Sequence, residues 1–116
     1  MTRNQQDKPL PAASMYLLLA LLGGENHGYA LMRLVGEQSE GAVVMGPGTL
    51  YGTLNRLLAD GLIVETTDQV SRVDNERRRY YQLTADGQRV ARFELHRLRN
   101  LLSRFQGIPE LGGASA

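Results

Sequence analysis

The sequence contains no cysteine and only two histidines, so several kinds of chemistry are disfavoured from the start. A disulfide framework and thiolate catalysis both need cysteine, and a chain without it fits a reducing compartment such as the cytoplasm. His27 and His96 lie far apart along the chain, which argues against a metal site. No Ser-His-acid set and no carboxylate pair falls within a catalytic motif. We therefore expect neither an enzyme nor a bound cofactor.

Long apolar runs are also absent. The run from Met15 to Leu22 has eight residues, far short of the roughly 20 needed to cross a bilayer. Arg3 and Lys8 precede it as in a signal peptide, but Asp7 and Pro9 interrupt that basic region and no small-residue cleavage site follows. We expect a soluble chain with no targeting sequence and no membrane partner.

A strong charge of either sign is missing as well. Thirteen Lys and Arg residues against twelve Asp and Glu residues give a net charge of +1. A nucleic-acid binder with this balance must concentrate its basic side chains on one face. The 116 residues suffice for one domain with a modest core.

Glycine, by contrast, is dense in the segment VVMGPGTLYGTLNRLLADGLI, where Gly46, Gly48 and Gly52 fall within seven residues. Such a segment can be a phosphate-binding loop or the start of a helix that meets a large partner. A Walker-type loop needs Lys after its second glycine, where this chain has Thr53, and the dinucleotide fingerprint needs Gly at the position of Tyr51. The nucleotide-binding interpretation is therefore disfavoured.

The same segment has a clear helical pattern. Its leucines at 50, 54, 57 and 58 share one face, Pro47 suits the first turn, and Asp60-Gly61 suits the end. The opposite face carries Thr49, Gly52, Arg56 and Ala59, flanked by Thr53 and Asn55. Gly52 costs about 1 kcal/mol relative to Ala inside a helix. That cost is easier to explain where another surface approaches, although a surface helix with an incidental glycine fits equally well.

Two further helices precede this one. The first runs from Pro11 to Leu22 and is apolar on every side from Met15, which predicts burial on more than one face, with the second face against another subunit. Asn26 can cap the second, over residues 27–38, and the apolar residues before Gly46 form a short strand or an extended link.

Two strands and a long helix follow. The strands cover residues 62–67 and 77–83, with Arg72 in the turn between them and with Tyr81 and Leu83 facing the core. Thr84 caps the last helix, which reaches Gln106 and has Asp86 in its first turn. Its apolar seam consists of Ala91, Leu95, Leu98, Leu102 and Phe105, broadened by Val90, Phe93 and Leu101. Because only a tail rich in Gly, Ala and Ser follows, the seam needs the first helix, a second chain, or both; we favour both.

The elements together predict a mainly α fold with a small β-hairpin, namely a winged helix-turn-helix followed by a long C-terminal dimerisation helix. We expect residues 1–10 to be a flexible N-terminal arm and residues 11–83 to be the DNA-binding domain. Residues 84–106 then form the dimerisation helix, and residues 107–116 a flexible tail.

Three segments resemble the PadR family of transcriptional regulators, over about Leu17 to Leu102. They are LLLALLGGENHGYALMRLV, GPGTLYGTLNRLLADGLI and RRRYYQLTADG, in the order and at the spacing of that family. The resemblance implies a homodimeric winged-helix DNA binder, usually a repressor. Its single C-terminal helix, as in the short family members, packs against the first and last helices of the partner. Some short members stack aromatic drugs on a central Trp, and this chain has no Trp, which argues against that mode of ligand binding.

The candidate DNA-binding residues lie on three elements. Arg can pair with guanine and Asn with adenine, while hydroxyls near a helix start hold phosphates. The candidates are Thr49, Tyr51, Gly52, Thr53, Asn55 and Arg56 on the third helix, Arg72, Arg77 and Arg78 on the hairpin, and His27 and Tyr29 at the start of the second helix. Half-burial of Tyr51, a capping or packing role for His27 and Tyr29, and a solvated basic hairpin are the competing interpretations.

The candidate dimer interface comprises Met15, Tyr16, Leu19, Ala91, Leu95, Leu98, Leu102 and Phe105. We expect a homodimer that binds an inverted repeat of double-stranded DNA and leaves room for a small-molecule effector at this interface. A winged-helix module that binds another protein instead of DNA is the alternative. The arginines at 56, 72, 77 and 78 favour DNA, because a protein-binding face would more often be apolar there.

Overall fold

The computed structural model describes residues 9–66 and 79–108. Three helices come first: α1 (Ala12–Leu21), α2 (Gly28–Gln38) and α3 (Pro47–Ala59). A short strand β1 (Asn26–His27) lies between α1 and α2, and β2 (Ile63–Thr66) and β3 (Tyr80–Leu83) follow α3. The long helix α4 (Ala85–Ser103) comes last. The prediction of a mainly α fold with a small β-hairpin is confirmed, and β1 adds a third strand to the two that were predicted. No helix in the described ranges is long and apolar enough to span a membrane.

Helix α1 is the centre of the core. Leu17 and Leu18 are fully buried, and the helix contacts α2, α3, α4 and β3 of its own chain. Burial on more than one face is therefore confirmed, but elements of the same chain cover much of the surface that was expected to face a second subunit. Tyr16 and Leu19 are half-buried against this core, and Met15 is half-buried beside α4.

The start of α2 differs from the prediction. The capping residue is His27, whose Nδ1 accepts a hydrogen bond from the Ala30 N–H at 3.3 Å. Asn26 cannot cap the helix because it is held in β1, where it pairs with Tyr81 of β3. Its side-chain oxygen accepts the His27 N–H at 3.0 Å instead. A strand of two residues has no periodicity, so the sequence pattern did not predict β1.

The link between α2 and α3 begins with a turn over residues 39–41 and contains no strand. Ser39 is buried in this link, and its hydroxyl oxygen accepts the Val43 N–H at 2.9 Å. Met45 then inserts into the core just before α3 begins. A buried serine and a buried methionine therefore fix the path of the chain into α3.

Strand β3 is central in the antiparallel sheet, with the order β1-β3-β2. Ile63 pairs with Leu83 and Thr66 with Tyr80. The side chain of Tyr81 is 2% exposed and Leu83 packs against the core, so the predicted inward face of this strand is confirmed. Burial raises the pKa of Tyr81, and the nearby Glu65 carboxylate raises it further.

Helix α4 starts as predicted, because the Thr84 hydroxyl oxygen accepts the Gly87 N–H at 3.0 Å and Asp86 lies in the first turn. The helix ends at Ser103, and residues 104–107 form turns in place of the predicted helix to Gln106. Its first turns dock on the domain and bury Val90 and Ala91 completely or nearly so. Ala91 was predicted at the dimer interface, but it is 0% exposed in its own chain and belongs to the core.

Candidate nucleic-acid interface

The outer face of α3 is exposed and points away from the core. Leu50, Leu54 and Leu57 hold the helix to the core on one side. On the other side the exposed residues are Gly48, Thr49, Gly52, Asn55, Arg56 and Ala59. The helix contains no acidic residue, and no ion pair involves Arg56 within the described part of the chain. The outer face of α3 is therefore small, polar and cationic, which suits a groove of DNA.

Thr53 does not belong to this face. It is only 7% exposed, and its hydroxyl donates to the Thr49 carbonyl of the same helix at 2.8 Å. The reason is its spacing, since Thr53 lies three residues after Leu50 and four before Leu57, on the buried stripe. Thr53 is therefore not exposed for the predicted contact with DNA.

Tyr51 is half-buried between α3 and the start of α2. A Cβ atom built on Gly28 would lie 2.6 Å from the Tyr51 hydroxyl oxygen and 3.1 Å from Cζ, the ring carbon that bears this hydroxyl. Gly28 is thus the close neighbour that leaves room for the tyrosine ring. This geometry favours the competing interpretation of Tyr51 as a packing residue that sets the contact between α2 and α3.

The N-terminus of α3 is open. Its capping position is Gly46, which offers no side-chain hydrogen bond, and Pro47 supplies no N–H in the first turn. Gly48 and Thr49 are both exposed there. N–H groups at a helix start that lack internal partners, together with the positive end of the helix dipole, suit a phosphate oxygen.

The start of α2 lies beside α3. His27 is committed to its own cap, and its ring meets the Tyr80 ring edge-on at 5.5 Å between centroids. The side chain of Tyr29 is 65% exposed and remains available to a phosphate backbone. The structure therefore gives His27 a structural role, whereas contact between Tyr29 and DNA stays a prediction.

The basic hairpin is described only at its base. Arg72, Arg77 and Arg78 lie between residues 67 and 78, outside the described residues, so their contacts stay predictions. At the base, Arg79, which directly precedes β3, forms an ion pair with Glu65 of β2, with 3.3 Å between Nε and Oε2. This pair joins the two strands on the side where Tyr81 is buried.

The second exposed surface is formed by the outer half of α4 and the turn that follows it, and we call its apolar residues from Phe93 onward the α4 seam. Beyond Ala91 its large apolar side chains are between about two fifths and three fifths exposed: Phe93, Leu95, Leu98, Leu101, Leu102 and Phe105. A contiguous apolar surface of this kind usually marks an interface. Val90 and Ala91 excepted, the predicted seam is thus only partly covered within its own chain.

A groove of about 440 Å³ lies between the seam, α1 and the segment before α1. Its lining includes the apolar residues Met15, Leu98 and Leu101. Arg97 and Arg104 also line it. Glu94 also lines it and is almost completely buried, with its carboxylate 2.9 Å from the Arg97 guanidinium. Sequence reasoning missed this ion pair, although Glu94 lies four residues after Val90 and four before Leu98, on the apolar side of the helix.

Comparisons with known proteins show the family through a sequence model and the fold through solved structures. The model of the transcriptional regulator PadR-like family matches residues 17–92 of this chain. The chain is 36% identical over 92 residues to a 37.1 kDa protein in transposon TN4556 of Streptomyces fradiae. That match covers 79% of this chain and only 24% of the other, so the chain spans about a quarter of that relative.

Two solved structures share the architecture. A PadR family transcription regulator from Clostridium difficile R20291 superimposes with a TM-score of 0.71 at 23% identity, over 84% of this chain and 97% of that one. PadR from Bacillus subtilis, solved in complex with operator DNA, gives a TM-score of 0.64 at 22% identity, over 76% of this chain and 48% of that one. At these identities the two structures establish the winged-helix fold.

Proposed function

Because this chain belongs to the PadR-like family of transcriptional regulators, we propose that it acts as a homodimeric repressor that binds an inverted repeat in double-stranded DNA. Membership of a family of regulators also confirms that the chain is not an enzyme. The observation that carries the DNA-binding part of the proposal is the outer face of α3, which is exposed, free of acidic residues and contains Arg56.

The contacts with DNA divide into two kinds. Arg56 and Asn55 lie on the exposed side of α3. From there Arg56 can form bidentate hydrogen bonds with guanine, and Asn55 can form them with adenine. Thr49 and the open start of α3 suit a phosphate, and Tyr29 and the hairpin arginines would add further phosphate contacts. Base contacts would then supply the specificity and phosphate contacts the position on the duplex.

The homodimer is supported by the α4 seam. The seam begins where α4 leaves its own domain, and burial of the exposed half of one Leu or Phe side chain is worth about 1 kcal/mol. Two copies that pair their seams around a two-fold axis would cover these side chains. The two α3 helices would then lie about 34 Å apart, one turn of DNA, on an inverted repeat.

Regulation by a small molecule is supported by the groove between α1 and α4. Its apolar lining and its arginines could hold an amphiphilic ligand, and it adjoins the seam through Leu98. A ligand that binds one dimer geometry more tightly than another shifts the population toward that geometry. Release of DNA by such a ligand is the simplest route to induction.

A winged-helix module that binds a protein instead of DNA remains the rival function. It would be favoured if the outer face of α3 were apolar, but Thr49, Asn55 and Arg56 make that face polar and cationic. The exposed apolar surface lies on α4 instead.

We expect specific, strongly salt-dependent binding to duplex DNA. If each subunit of a dimer neutralises about three phosphates, the slope of log K against log salt should be about −5. Titration of the protein against genomic fragments at several salt concentrations measures both properties. Equal affinity for every fragment would contradict sequence-specific binding, and an absence of binding at low salt would favour the protein-binding alternative.

Replacing Arg56 with Ala should relax the base preference at one position of each half-site and cost about 1–3 kcal/mol there. The matched control is Arg99→Ala, which removes the same exposed side chain from α4, about 21 Å along the helix from its start. The control should leave the preferred site unchanged. Selection from a randomised DNA library compares the two variants, and an unchanged preference in Arg56→Ala would remove Arg56 from the base-reading set.

A further inference from the structure

The end of α3 is closed by a tight turn that fixes the next two peptide groups. Gly61 has a left-handed φ of +75°, and its N–H donates to the Leu58 carbonyl at 3.1 Å. The Leu62 N–H donates to the Leu57 carbonyl at 3.0 Å. This pair of hydrogen bonds is the Schellman arrangement. The backbone of Gly61 and Leu62 is therefore rigidly joined to the last turn of α3.

The start of α4 is bonded to the same two residues. The Thr84 N–H donates to the Leu62 carbonyl at 3.0 Å, and the Thr84 hydroxyl donates to the Gly61 carbonyl at 2.7 Å. The oxygen of that hydroxyl accepts the Gly87 N–H at 3.0 Å. One threonine side chain thus caps α4 and ties it to the end of α3.

Gly87 makes the contact between the two elements closer than any side chain would allow. A Cβ atom on Gly87 would overlap the Leu62 carbonyl oxygen and lie 2.9 Å from the Leu62 carbonyl carbon. Both are backbone atoms held by the hydrogen bonds just described, so neither can move aside cheaply. A Cβ on the helical glycines Gly36 or Gly52 would meet nothing within 4 Å. Glycine at position 87 is therefore imposed by the packing of α4 on the turn after α3.

We propose that the junction formed by Gly61, Leu62, Thr84 and Gly87 is a positioning element that fixes the direction of α3 relative to α4. In a dimer it thereby determines which separation of DNA half-sites the protein accepts, a consequence that rests on the proposed function. Helix α4 carries the seam for the partner and α3 carries the face for DNA. The junction joins the two helices directly, so any reorientation of α4 moves α3 as well.

The geometry gives the size of the effect. A change of about 10° between α3 and α4, acting over half of the roughly 34 Å between half-sites, moves each α3 by about 3 Å. That displacement is close to one base-pair step along the duplex, about 3.4 Å. Because the two α3 helices of a two-fold dimer move in opposite directions, a loosened junction should change the accepted half-site separation by up to about two base pairs.

The first experiment measures the junction without DNA. Because the chain has no cysteine, spin labels can be attached at Ala59→Cys on α3 and Arg99→Cys on α4, both exposed positions. Labelled subunits are diluted into an excess of unlabelled protein, so that distances within one chain dominate. We expect a narrow distance distribution in this background and in the control Gly36→Ala. The distribution should be broader or shifted in Gly87→Ala.

A second variant guards against poor folding of Gly87→Ala. Thr84→Val keeps the shape of the side chain but removes the hydroxyl that bonds Gly61 and Gly87. It adds no atom against the Leu62 carbonyl and should broaden the distribution to a smaller extent. Distributions for both variants that coincide with the unaltered chain would overturn the proposal.

The second experiment reads the consequence on DNA with cysteine-free proteins. Inverted repeats are prepared with half-site separations that differ in steps of one base pair, and affinities are measured for each. The unaltered chain and Gly36→Ala should prefer one separation, whereas Gly87→Ala should shift or spread this preference by up to about two base pairs. An unchanged preference despite altered label distances would refute the link to half-site separation. If the unaltered chain binds none of the repeats, the proposed function fails, and the label distances still decide the role of the junction.

Discussion

Replacing Leu98 with Asp should convert the protein from a dimer into a monomer with almost no affinity for its inverted repeat. Leu98 lies in the middle of the seam and is 42% exposed in the single chain. In a two-fold dimer the substitution places two carboxylates in one apolar interface, where charges without partners are very costly. Sedimentation should show the mass fall from twice 12.8 kDa to 12.8 kDa. Affinity for the full repeat should fall by about 10²–10⁴-fold, because each half-site is then bound separately.

The matched control for this prediction is His96→Asp. His96 is exposed on α4 two residues earlier, on a different side of the helix from Leu98, so it receives the same charge outside the seam. This control should remain dimeric and bind DNA, with a modest loss from the added negative charge. Circular dichroism should show that both variants keep their helices, because neither position lies among the buried core residues. A Leu98→Asp protein that remains dimeric and binds DNA normally would show that α4 does not form the interface.

The family match and the seam support different parts of the proposal. The matched region ends at residue 92, just after Val90 and Ala91 enter the core. The exposed apolar residues from Phe93 onward therefore lie beyond it, and their role rests on their own pattern and exposure. The Leu98→Asp experiment is for this reason the most direct test of the dimer.

The periodic elements could be predicted from the sequence because their burial repeats regularly. The leucine stripe predicted α3, Asp60-Gly61 predicted its end, and Thr84 predicted the cap of α4. Strand β1 carries no such signal, because two residues show no alternation. It forms only because β3 offers an open edge next to α2, and this pairing moved the cap from Asn26 to His27.

Some residues of the candidate surfaces could not be placed correctly from the sequence, for a different reason. Thr53 lies at the edge of the leucine stripe, where a rotation of a few tens of degrees separates an exposed side chain from a buried one. Ala91 fits the spacing of the seam, but periodicity does not reveal where a long helix leaves its own domain. The close approaches of Gly28 to Tyr51 and of Gly87 to Leu62 join residues distant in sequence, so only the structure exposes them.

Gly52 is the residue for which stability and DNA binding should respond in opposite directions. It lies inside α3 on the exposed face, and a Cβ there would meet nothing within 4 Å. Packing within the chain therefore does not require a glycine at this position. Gly52→Ala should raise the free energy of unfolding by about 1 kcal/mol, because alanine is the better helix former.

The same substitution should weaken DNA binding by about tenfold or more, since a methyl group on the outer face holds the α3 backbone away from the groove. The matched control is Gly36→Ala in α2, another helical glycine whose Cβ would meet nothing within 4 Å. It should give a similar gain in stability and leave the affinity for DNA unchanged. Thermal unfolding and DNA titration of the two variants test both halves of the prediction. If Gly52→Ala gained stability and bound DNA as tightly as the unaltered chain, α3 would not approach the groove at this turn, and the incidental-glycine interpretation would be the correct one.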